Sequence, residues 1–170
     1  MSVTLYAASI PVFKQMLNSL DDILRKAEAH ANEKKIDPNA LLQARLFPDM
    51  FPLIRQVQLA SDFAKGSGAR LAGVDVPSYE DTEQSFADLH ARIAKTLAFI
   101  GSLTPAQIDG RAEQEIVIQP GTPRERKFAN QSVYLLHYGL PQFFFHVTTA
   151  YALLRHNGVE IGKRDFVGSY

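Results

Sequence analysis

Between Ser9 and Lys35 the apolar residues Ile10, Phe13, Leu17, Leu20, Leu24 and Ala27 recur at alternating steps of three and four. Only a helix gathers that spacing onto one stripe; a strand, with a period of two, would scatter it over both faces. The stripe is narrow, as it is where helices meet along a bundle seam. Ser9 stands at the N-cap position, and Pro11 falls in the first turn, where its missing N–H costs nothing. The polar run from Ala29 to Lys35 ends the helix, and His30, beside Glu28, Glu33 and Lys34, reads as solvated.

Similar signals recur along the chain. Asp37-Pro38 predicts a short helix through Arg45. Helix two lies between Pro52 and Gly73 and carries Leu53, Val57, Ala60 and Ala64. Gly66 and Gly68 weaken its end by about 1 kcal/mol each relative to alanine unless close packing requires them. After a loop at residues 74–79, helix three is expected to open on Glu80, Asp81 and Glu83, whose charges suit the positive end of a helix dipole. Its stripe is Phe86, Leu89, Ile93, Leu97 and Ile100, with Gly101 at its end and a short turn at Thr104-Pro105. Ile116-Val117-Ile118, the turn Pro120-Gly121-Thr122-Pro123 and the return from Arg124 to Phe128 predict a small hairpin, read as a structural insert with arginines near Glu113 and Glu115. Helix four runs from about Asn130 to His156, with Gly158 in the left-handed region. Gly139 and Pro141 predict a kink or break near residue 139. The tail from Gly162 lacks periodicity. The expected architecture is all-α: one domain over residues 1–170, an antiparallel four-helix bundle with a small β-hairpin between helices three and four.

Charge and composition narrow the function. The 18 basic residues balance the 18 acidic ones, which argues against a nucleic-acid partner. The absence of cysteine excludes disulfides, thiolate nucleophiles and cysteine-bound zinc. No stretch approaches the roughly 18 apolar residues of a membrane span, and no secretory leader is legible at Met1 to Tyr6. No membrane partner and a cytoplasmic address are therefore expected. No HExxH motif or phosphate-binding glycine loop is present.

Chemistry concentrates on the last helix. Gln142, His146 and Thr149 share one face at i, i+4 and i+7, amid Phe143, Phe144 and Phe145. They either line a cavity or form a core histidine satisfied by a neighbour, and the residues alone leave both open. His137 and His146 are nine positions apart, about half a revolution on a straight helix. His90 reads as surface, and His156 as a cation at the negative end of the dipole. On helix two, Gln56 can face inward, while Asp62 and Lys65 at i, i+3 read as a solvated ion pair of little energetic weight.

The run from Phe51 through Gln56 and Asp62 to Lys65, the segments His146 to Tyr151 and Leu154 to Val159, and Gly162-Lys163 resemble an uncharacterised family within the DinB/YfiT-like bundles, over most of the chain. That resemblance implies a four-helix bundle, often dimeric, in a superfamily where many members hold a divalent metal through three histidines. One of those is on helix two and two stand at i, i+4 on the last helix; some members are thiol-dependent transferases. His146 matches the second last-helix ligand, Gln142 stands at the first, and Gln56 or Gln58 at the helix-two position. A neutral carboxamide is a weak ligand beside imidazole, thiolate or carboxylate. The expectation is therefore a metal-free small-molecule pocket around Gln56, Gln142, His146 and Thr149, without a cofactor, in which His146 can serve as a general base near neutral pH. The alternatives are a non-catalytic interaction or structural protein, and a zinc- or nickel-dependent enzyme that recruits Asp62 or His137.

Overall fold

The computed structural model describes residues 3–170, so Met1 and Ser2 of the leader reading lie outside it. The protein is mostly helical, with one small sheet. In chain order the elements are α1 (Ile10–Lys34), α2 (Pro38–Leu42), α3 (Leu53–Ala72), α4 (Phe86–Gly101), α5 (Pro105–Asp109), β1 (Ile116–Ile118), β2 (Arg126–Phe128), α6 (Gln131–Tyr134), a π-helical turn (Leu135–Gly139), α7 (Leu140–His156) and α8 (Lys163–Val167). The long helices meet along shared seams, α3 against α7 and α4 against both α1 and α3. All six stripe residues of α1 are buried. Phe13 meets Phe143 edge-on at 4.9 Å between ring centroids, which joins α1 to α7. Such a pair adds about 1 kcal/mol to the burial of its area.

Several boundaries differ from the sequence expectation, each for a local reason. Ser9 occupies the N-cap position of α1 but does not cap it; its buried hydroxyl donates back to the Leu5 and Tyr6 carbonyls of the preceding turn. The Asp37 carboxylate does accept from the Asn39 N–H, although α2 stops at Leu42. Helix α4 begins at Phe86, because Ser85 and Asp88 form a reciprocal capping box there. Glu80, Asp81 and Glu83 consequently lie outside the helix, in an extended strap.

Near residue 139 the α-helical ladder of helix four is interrupted by a π-helical turn. The π turn inserts before Pro141, which then falls in the first turn of α7, where a missing donor costs nothing. Gly139 closes that turn, and a Cβ there would lie 2.9 Å from Ser67 Oγ, so glycine permits the approach of α3. The aperiodic tail forms α8. It is tied to α1 by the Ser19 hydroxyl, which donates to the Asp165 and Phe166 carbonyls, and by Lys26–Asp165 at 2.6 Å. His90 is not a surface residue: its Nδ1 lies 2.5 Å from Asp21 Oδ1, bridging α4 to α1. The hairpin pairs Ile116 with Phe128 and Ile118 with Arg126.

Candidate functional site

The α3–α7 seam brings His146 against Gln56, ninety positions away in sequence. Gln56, 1% exposed, donates from Nε2 to the Phe51 carbonyl at 3.1 Å. A carbonyl can only accept, so this bond fixes the amide and turns Oε1 toward His146 Nδ1, 2.8 Å away. Nδ1 must therefore carry the proton, leaving Nε2 as the acceptor. The ring stacks on Phe63 (5.5 Å between centroids, 14° between planes) and meets Phe145 edge-on at 5.2 Å. Burial, reinforced by the charge of Arg55, lowers its pKa from the usual 6.5 to about 4. At neutral pH His146 is an uncharged imidazole in one tautomer.

The other residues singled out from sequence stand elsewhere on the seam. Gln142 is half-buried, and among the described residues no hydrogen bond joins it to His146. The Thr149 hydroxyl turns back to the Phe145 carbonyl at 2.7 Å. His137 is exposed. Gln58 leaves the His146 site altogether and donates to Glu83 at 2.8 Å.

Beside this site lies a charged network that the sequence reading missed. Arg92, 4% exposed, reaches Asp62 (2.9 Å), Asp81 (3.1 Å), Glu83 (2.9 Å) and the Glu80 carbonyl (3.1 Å). Lys65, also buried, pairs with Asp62 at 2.8 Å, so the expected solvated pair is buried on its lysine side and open to water on its carboxylate side. Burial alone would raise the Glu83 carboxyl, but hydrogen bonds from Arg92 and Gln58 outweigh it and hold the pKa below the usual range. The Tyr79 ring receives Lys65 and Lys95 at 3.9 and 4.2 Å. These contacts clamp the strap before α4 onto α3 and α4. The one available sequence signal was Arg92 at i+3 from Leu89, on the edge of an apolar stripe.

A cleft of about 510 Å³ opens between α3, the π turn and the hairpin. Phe63 belongs both to its wall and to the stack on His146, whereas Gln56, Gln142, His146 and Thr149 do not line it. The hairpin is thus a cleft wall and more than an inert insert. Among the described residues its arginines form no ion pair with Glu113 or Glu115; Arg126 lies over the Tyr138 ring at 5.5 Å.

The residues at the histidine positions do not fit a transition metal. One imidazole faces two carboxamides, and the Gln56 oxygen is already engaged by His146 Nδ1. Among the described residues no group of three histidine, aspartate or glutamate side chains is placed to hold a cation. Nor is any described helix long and apolar enough to cross a membrane.

Residues 5–167 match a family described as a domain of unknown function, DUF1993. Among solved structures, the chain is similar to a DinB family member protein from Shewanella denitrificans, at 39% identity and a TM-score of 0.90, over 98% of this chain and 93% of that one. Comparison with curated proteins returns no match.

Proposed function

This chain belongs to the DUF1993 family, and we propose that it is a metal-free, small-molecule-binding protein built as an antiparallel four-helix bundle of the DinB/YfiT-like type. Its polar anchor is His146, oriented by Gln56, with Gln142 and Thr149 on the same helix face. One observation carries this: Gln56 holds Nδ1 as a donor, leaving Nε2 as a hydrogen-bond acceptor within an aromatic surround. Binding sites commonly pair apolar walls with a few fixed polar groups in this way. The ligand would present an O–H or N–H to Nε2.

Binding is favoured over base catalysis. A base with a pKa of about 4 is poorly matched to proton abstraction at neutral pH. No cofactor belongs to this proposal. A cytoplasmic address and a homodimer do, and Phe51 and Phe145, both more than half exposed beside the Gln56–His146 pair, would give a second copy an apolar surface.

The competing function is structural. His146 is only 7% exposed and already satisfied at Nδ1, as a core histidine would be. Ligand-observed NMR with a library of neutral hydrogen-bond donors separates the two. His146→Phe keeps the stack on Phe63 but removes the acceptor, so binding should weaken about tenfold while the fold persists. Equal binding by that variant, or no binder of the wild type, would favour the structural role.

A further inference from the structure

The hairpin cleft has a charge imbalance that the fold itself does not resolve. Arg70, Arg124 and Arg126 line it, with Asp62 and Glu125 as its only acidic residues. Both acids are engaged elsewhere: Asp62 with Arg92 and Lys65, Glu125 with Lys127 and the Gly121 N–H. Among the described residues none of the three arginines forms an ion pair. Arg70 makes only a long contact, 3.4 Å, to the Tyr134 hydroxyl. The remaining wall is aromatic, with Phe63 and Tyr138 meeting edge-on at 5.9 Å.

Three guanidinium groups without an ion pair, of which Arg126 lies over the Tyr138 ring of the aromatic wall, match one kind of ligand. Guanidinium forks complement carboxylate and phosphate oxygens, often through two parallel hydrogen bonds. A cleft of about 510 Å³ suits a single compact molecule, whereas a polyanion would need an extended basic track. We infer that this cleft binds a small oxyanion, a phosphate or carboxylate, carried on a planar aromatic body that packs on Phe63 and Tyr138. This site is separate from the Nε2 site of His146. It stands or falls on its own arginines.

Phenyl phosphate and inorganic phosphate are suitable probes, titrated into ¹⁵N-labelled full-length protein. Phenyl phosphate should bind saturably, shift amides in β1, β2 and the second half of α3, and bind more tightly than inorganic phosphate. Arg124→Gln/Arg126→Gln should weaken it about tenfold or more; both residues are exposed, so the variant should keep the wild-type melting temperature. His146→Phe should bind phenyl phosphate within about twofold of wild type, a factor that corresponds to only a few tenths of a kcal/mol. The inference is overturned if phenyl phosphate fails to saturate the wild type, or if the double variant binds it as tightly. Indifference to the phenyl group would overturn the aromatic half of the assignment. Loss of binding in His146→Phe would overturn the separation of the two sites.

Discussion

At neutral pH the His146 imidazole is held without charge by burial, reinforced by the charge of Arg55, while Gln56 accepts a hydrogen bond from Nδ1 and fixes the tautomer. The consequence for stability has a definite sign. The folded pKa, about 4, lies below the ordinary 6.5, so the unfolded chain binds the proton more readily. The stabilisation is complete above about pH 6.5, falls as pH drops toward 4, and is flat below that; for a single site it amounts to at most about 3 kcal/mol. In His146→Phe, urea unfolding at pH 7 and pH 4 should differ by about 2–3 kcal/mol less than in wild type. An unchanged difference would mean that His146 does not titrate as its burial implies. The sequence pointed to His146 and to a Gln56 that can face inward, but offered only same-helix neighbours as the histidine's partner, because i, i+4 contacts are what a lone helix reveals. The true partner lies on another helix, where no local spacing can show it.

Among the elements, the strap before α4 is held chiefly by Arg92, with Arg55 on Asp81 and Gln58 on Glu83 beside it. Arg92 holds Asp81, Glu83 and the Glu80 carbonyl while also pairing with Asp62 on α3. Removing one partner of a buried ion pair typically costs about 3–5 kcal/mol. Asp62 and Asp81 keep 32% and 39% of their side-chain surface in water and resolvate readily, so Arg92→Met should cost about 3 kcal/mol, toward the lower end. It should also make residues 79–84 a preferred site of limited proteolysis. A loss below about 1 kcal/mol with the strap still resistant would show that the Tyr79 cation–π contacts and the Arg55–Asp81 pair suffice. The long helices were legible because their stripes are strong, and the hairpin because β-branched residues flank a proline–glycine turn. The start of α4 was misplaced because acidic residues suit a helix N-terminus and an arginine clamp equally well. Only the Ser85–Asp88 box and the buried Arg92 decide between them.

For the whole molecule, the equality of basic and acidic residues conceals a local imbalance: three arginines without an ion pair among the described residues line the hairpin cleft. Composition excludes a generally basic surface but cannot register such an imbalance. The cleft was illegible for a similar reason, since its walls come from α3, the π turn and a hairpin that meet only on folding. Family membership and the helical fold were readable from the stretches Phe51 to Lys65 and His146 to Val159. The central claim, a metal-free site anchored by a neutral, oriented His146, is tested most directly by long-range ¹H–¹⁵N NMR of the imidazole nitrogens. Untagged protein would be measured at pH 7 with and without one equivalent of zinc. The account predicts a protonated Nδ1, an unprotonated Nε2 and no stoichiometric change on adding the metal. A protonated Nε2, or a shift of either nitrogen that saturates at one zinc per chain, would contradict it.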